Sequence, residues 1–124
     1  MRYMLLVHDD EKAGQNGEGR GSAAMQEAVA LARRLKEEGV CWEAAPLHPS
    51  GSAVSVRVRE GETLVHDGPF AETREQLGGF FLIEAADLDE AIGIAALIPA
   101  ARWGTVEVRP IREVPGLAGE ERAL

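Results

Sequence analysis

Two short stretches, YMLLV at 3–7 and FFLI at 80–83, constrain this chain more than anything else in it. Each reads as a strand, yet in each both alternating sets are apolar. Tyr3, Leu5 and Val7 point one way, Met4 and Leu6 the other. An antiparallel sheet with one face in water carries polar residues on that face. These strands are therefore expected to be covered on both sides. The chain offers two amphipathic helices, enough for one side, so the other side needs a different cover. A second copy of the chain is the natural one, with the two sheets packed face to face. The alternative, a contiguous apolar patch left in water, is uncommon on monomers.

The remaining elements follow from periodicity and punctuation. Residues 2–8 form the first strand, and the Gly-rich, polar DDEKAGQNGEGRG after it reads as a loop. Ser22 caps a helix running to about Glu38, with Met25, Ala28, Val29, Ala32 and Leu35 on one face and Gly39 as its stop. A short strand, 40–44, precedes the loop APLHPSGS. In AVSVRVR the alternation is strict: Val54, Val56 and Val58 face one way, Ser55, Arg57 and Arg59 the other. Glu60–Gly61 is a tight turn, and ETLVHD returns as the hairpin partner. GGFFLIEA is the next strand. Asp87 with Glu90 three residues on resembles a capping box, opening a helix with Leu88, Ala91, Ile92 and Ala95 on one face. Pro99 ends that helix, and TVEVRP is the last strand. The order is strand, helix, strand, hairpin, strand, helix, strand. This is an α+β, ferredoxin-like (split βαβ) domain with an inserted β-hairpin, over residues 1–112, followed by a loose tail, 113–124.

The 124 residues suit one domain. A hydrophobic content of 45% supports a packed core, and aromatics at 5% leave that core to Val, Leu, Ile and Ala. A net charge of −8 with no basic stripe argues against nucleic-acid binding, because the phosphate backbone is repelled. The single cysteine, Cys41, excludes an internal disulfide and a Cys-based zinc site, and is expected as a small buried hydrophobe. The five-residue apolar run at the N-terminus is shorter than a secretion signal requires, and no stretch approaches the ~20 residues that span a bilayer. The expectation is a soluble cytoplasmic protein with no membrane partner. His8, His48 and His66 do not share ligand spacing on one element, so no metal and no cofactor are expected. Ser-His-Asp order, a phosphate loop and a dinucleotide fingerprint are all missing from the sequence.

The combination of DGPF at 67–70, AET at 71–73, QLGG at 76–79 and PAAR at 99–102 resembles the DGPF-type branch of the YCII-related domain family. RYMLLVHDDE and AAPLHPSGSAVSVRVREGETLVHDGPF fit it too, and the likeness covers roughly residues 2–112. The resemblance implies a ferredoxin-like domain that pairs as a dimeric α/β barrel. It implies less about activity: relatives in the wider barrel group include small-molecule oxygenases, isomerases and lyases. Members often accompany sigma factors of the extracytoplasmic-function type, and a His and an Asp in a pocket have been proposed as catalytic. The chain departs from the branch at His8, where Tyr is usual, and at His66, where a small polar residue is common. Neither histidine inherits a family role.

Two function classes follow. The first is a small-molecule enzyme or ligand-binding domain with a pocket near the DGPF turn. There Asp67, preorganised by a rigid turn, acts as acid or base, helped by His48 of PLHPS, a position where His recurs in the branch. Arg57 orients an anion, whether Asp67, Glu72 or a ligand carboxylate, and Arg102 either caps the second helix or reaches the pocket. Asp67 also has a structural role available, accepting bonds from the turn, with Phe70 pinning that turn to the core. His66 and Asp67 are neighbours on a strand and point to opposite faces, so they are not expected to form a dyad. Trp103 is expected to pack. The second class is a non-enzymatic regulatory or partner-binding module.

Overall fold

The computed structural model describes residues 1–12 and 22–117. Most of the expected Gly-rich loop, and residues 118–124 of the expected tail, lie outside these. The elements in order are β1 (Arg2–Asp9), α1 (Ser22–Glu37), β2 (Cys41–Pro46), a 3-10 turn (Ser50–Ser52), β3 (Val54–Arg59), β4 (Glu62–Asp67), β5 (Gln76–Glu84), α2 (Leu88–Ala95), a second 3-10 turn (Pro99–Arg102) and β6 (Thr105–Pro110). Four strands form one antiparallel sheet in the order β2-β5-β1-β6; β3 and β4 pair only with each other. With the hairpin set aside, this is the ferredoxin-like order expected of a split βαβ fold.

The two-sided strands are real. Register pairs share a sheet face, and Tyr3↔Ile83 and Leu5↔Phe81 fall on the inner one. All four are buried, together with Leu31, Leu35, Cys41, Ala91, Ala95 and Ile98. Leu5 and Ile83 have no exposed surface, so each contributes about 1.5–3 kcal/mol of apolar burial. Cys41 is the small buried hydrophobe expected. The outer face carries Met4↔Leu82 and Leu6↔Phe80, all four half-buried, with no described helix over them.

α1 ends as expected. Gly39 (φ 77°) donates to Lys36 O at 3.1 Å and Val40 N to Leu35 O at 2.8 Å, which satisfies the last carbonyls in a Schellman motif. Its start differs: Ser22 is already helical and not the residue before the helix. Its buried face differs too. Leu31 and Leu35 fill the core, while Met25 and Val29 remain about half exposed.

α2 has the reciprocal cap. Glu90 N donates to Asp87 Oδ1 at 2.9 Å, and Ala86 N donates to Glu90 Oε1 at 3.1 Å. Ala91 and Ala95 are its buried stripe, while Leu88 and Ile92 stay about half exposed. Small residues let this short helix sit close to the sheet. Its run stops at Ala95, and Pro99 opens the 3-10 turn that follows.

The hairpin turn places Glu60 (φ 52°) and Gly61 (φ 78°) in the left-handed region, the pattern of a type I′ turn. The tail's first described part is anchored: Arg2 donates to Glu113 Oε2 at 3.0 Å. No helix among the described residues is long and apolar enough to cross a membrane.

Candidate functional site

β1 ends in Asp9, and β6 begins just after Trp103 and Gly104. The antiparallel β1–β6 pairing, His8↔Thr105, brings these ends side by side. Trp103 Nε1 donates to Asp9 Oδ2 at 2.8 Å, and Asp10 N donates to Asp9 Oδ1 at 2.7 Å. Next along the chain, Glu11 is held from both sides. Its own N–H donates to Gln76 Oε1 at 3.1 Å. Its carboxylate accepts from Ser50 N (2.7 Å) and Ser50 Oγ (2.9 Å). Gln76 in turn donates to Thr73 O. The end of β1, the start of β5, and the two 3-10 turns with their flanks are thus tied into one rim.

This rim borders a cleft of about 500 Å³ between α1 and the inner face of the sheet, within the size range of small-molecule sites. Its walls are small or apolar. Ala24, Ala28 and Ala32, one helical turn apart, face it from α1; Ala44, Ala45, Gly78 and Gly79 face it from β2 and β5. Val7, Met25, Val29, Phe81, Ile98 and Trp103 complete the apolar lining. Met25 and Val29, expected in the core, instead border this opening. The polar groups are segregated. Asp9, Asp10, Glu11 and Gln76 lie at the rim; Arg33 and Lys36 lie towards the other end of α1, where Lys36 reaches Glu43 at 3.4 Å. That contact and the bond from Ala44 N hold the Glu43 carboxyl below its ordinary range, the backbone bond being the larger cause.

None of Asp67, His48, Arg57, Glu72 and Arg102 lines this cleft. Asp67 ends β4, exposed, opposite Val54. Arg57 pairs with Leu64, so in the hairpin register it lies on the face opposite Asp67, and the two cannot form the ion pair considered for them. By the same register His66 and Asp67 face apart. His48 and Glu72 are exposed in loops. Arg102 neither caps α2 nor enters the cleft; it donates to Glu27 on α1 at 2.8 Å and lies over the Trp103 ring at 5.4 Å.

The DGPF turn is tightly held. Gly68 (φ 100°) donates to Ala53 O at 2.7 Å and accepts from Ser55 Oγ at 2.8 Å. Phe70 does not pin it to the core: the residue is 83% exposed, and the hairpin beside it pairs with no strand of the four-stranded sheet. Among the described residues no group of three or more His, Cys, Asp or Glu is placed to hold a metal ion.

Sequence reasoning missed Asp9, Gln76 and the hydrogen-bonding part of Trp103. The signal was the spacing of small residues. Alanines at 24, 28 and 32, facing Ala44–Ala45 and Gly78–Gly79, leave space where larger residues would close a core.

Comparison with known proteins agrees with this architecture. The solved structure of 5-chloro-2-hydroxyhydroquinone dehydrochlorinase from Burkholderia phenoliruptrix AC1100, in complex with 2,5-dihydroxybenzoquinone, is similar in fold. It has a TM-score of 0.55 at 14% identity, over 92% of this chain and 96% of that one. An uncharacterized protein of Rhizobium meliloti (strain 1021) is 40% identical over 114 residues, 90% of this chain and 92% of that protein. Residues 1–115 match the family described as the YCII-related domain, and with that span and that relative the chain belongs to the YCII-related family.

Proposed function

We propose that this protein binds a small, largely apolar molecule in the cleft between α1 and the sheet. The ligand would present a hydroxyl or amine to the Asp9 end. The observation that carries this is the cleft itself: an alanine- and phenylalanine-walled space of about 500 Å³ with its acidic groups at one rim and Arg33 and Lys36 towards the other end. An apolar wall favours an apolar body, and a rim carrying three carboxylates repels an anionic head and favours a donor. The solved structure of the fold neighbour holds a dihydroxybenzoquinone, a small ring compound, which supports small-molecule binding by this fold.

The working unit in this reading is a homodimer. The outer sheet face has an apolar centre (Met4, Leu6, Phe80, Leu82) and a polar fringe, where Arg2 lies 5.0 Å over Trp42 and His8 meets Glu107 at 3.2 Å. Apolar centre and polar rim is the anatomy of a protein interface. In this proposal Asp67 and Glu72, both exposed and flanking the DGPF turn, act only where a second subunit completes their surroundings.

Trp103 lines the cleft, so its fluorescence reports occupancy. The experiment titrates a panel of neutral alkylphenols against the matching alkylbenzoates, with wild type and Ala28→Phe. Quenching by the phenols but not by the benzoates, lost in Ala28→Phe at an unchanged melting temperature, is the expected result. No quenching by any phenol, or quenching indifferent to Ala28→Phe, would refute the cleft as the site.

A further inference from the structure

The β3–β4 hairpin is built as though something covers it. In register, Val54, Val56 and Val58 share one face with Val65, and these four are 57%, 61%, 60% and 65% exposed. Its neighbouring turn carries Phe70, exposed as well. The other face is Ser55, Arg57, Arg59, Glu62, Leu64 and His66, a polar surface suited to water. A two-stranded hairpin is marginal alone and gains its stability by packing an apolar face on something else. Strand alternation this strict, with the apolar side in water, is the inverse of what a free-standing hairpin requires.

We propose that the valine face of the hairpin is a clasp that packs against a second copy of this chain. This rests on the homodimer reading above and extends it from the sheet to the hairpin. Two observations select a second copy over other occupants. Among the described residues two apolar surfaces are uncovered, the hairpin face and the outer face of the sheet, and a two-fold pair would cover both in both copies at once. The two surfaces are continuous through the chain: β3 follows β2, an edge strand of that sheet, after one 3-10 turn. Asp67 lies on the valine face, so the clasp carries the DGPF turn into the interface.

The test is sedimentation over a dilution series with wild type, the Val56→Glu/Val65→Glu double variant and Arg57→Glu. Val56 and Val65 are direct register partners, so the double variant sets two carboxylates side by side in the middle of the face. The expected result is a wild-type dimer whose Kd rises at least about 100-fold in the double variant and by less than about threefold in Arg57→Glu. Burial is read separately, because Cys41 is 2% exposed and leaves an introduced thiol as the reactive one. An environment-sensitive maleimide on Val56→Cys should shift to the blue as dimer forms; the same label on Arg57→Cys should not. A wild-type monomer at micromolar concentration overturns the homodimer reading and the clasp with it. A wild-type dimer that the double variant leaves equally tight, or a Val56→Cys label indifferent to concentration, overturns the clasp alone.

Discussion

Gly104 is where the fold and the cleft depend on the same few atoms. It lies between Trp103 and the first residue of β6, and a Cβ built on it would stand 2.3 Å from His8 O, with Ala100 O and Asp9 Cα each at 3.3 Å. All three are backbone atoms, so no side chain can swing aside. Restoring ordinary contact, at 3.4 Å or more, means moving β1 and the start of β6 apart by about 1 Å. That opens the His8↔Thr105 end of the ladder and pulls Asp9 from the Trp103 indole. Overpacking of this kind costs about 1–3 kcal/mol, and a lost hydrogen bond adds about 1 kcal/mol. Gly104→Ala should therefore lose roughly 3 kcal/mol, a fall in Tm of about 10 °C for a domain of this size. Gly93 supplies the control, since it sits inside α2 with nothing within 4 Å of the built Cβ. There the same substitution should stabilise by up to about 1 kcal/mol through helix propensity. Thermal melts at one fixed protein concentration measure both, with Trp emission as a second probe. Opposite signs are the expected result. A Gly104→Ala protein that melts within about 1 °C of wild type would show that β1 and the Trp103–Gly104 corner do not approach this closely.

Three further outcomes are expected. Asp87→Ala removes the α2 cap and should cost about 1 kcal/mol by urea denaturation, with Asp87→Asn or Asp87→Ser retaining most of it. Trp103→Phe deletes the N–H donated to Asp9 while keeping an aromatic wall. It should cost about 1.5–2 kcal/mol by the same measurement, as expected for a bond to a charged acceptor. Leu5→Ala removes a fully buried side chain and should cost about 2–5 kcal/mol, with an unchanged result placing Leu5 outside the core.

The sheet and helices were legible in the sequence because each element obeys a single period. TVEVRP and AVSVRVR alternate cleanly, α1 repeats its apolar residues by turns, and Gly39, Glu60–Gly61 and Asp87 mark boundaries by local chemistry that distant contacts do not override. What was not legible is where two correctly identified elements fail to close. Periodicity assigned Met25 and Val29 to the buried face of α1, and the helix does turn that side towards the sheet. The alanines beside them, with Gly78–Gly79 opposite, leave the gap unfilled, and a gap is set by the summed volumes of facing residues that lie far apart in the chain. Asp9 was hidden for a related reason. As the last residue of a strand it carries no pattern, and its partner Trp103 lies 94 residues away.

The DGPF segment shows the opposite failure, in which a strong local signal was read correctly and its surroundings were not. Its glycine is in the left-handed region and is held by Ala53 and Ser55, as a rigid turn requires. A rigid turn was expected to pack its phenylalanine into its own core. That inference assumes the core nearest in sequence is the one that receives the ring. Here the turn follows a hairpin whose four valines are exposed on one face, and Phe70 is exposed as well, while Leu64 lies on the opposite face. Five apolar residues uncovered at one place are better explained by one missing surface than by five separate accidents. On the clasp proposed above, the sequence regularity of this stretch would serve an interface between copies, and its rigidity would hold the clasp in the shape its partner meets.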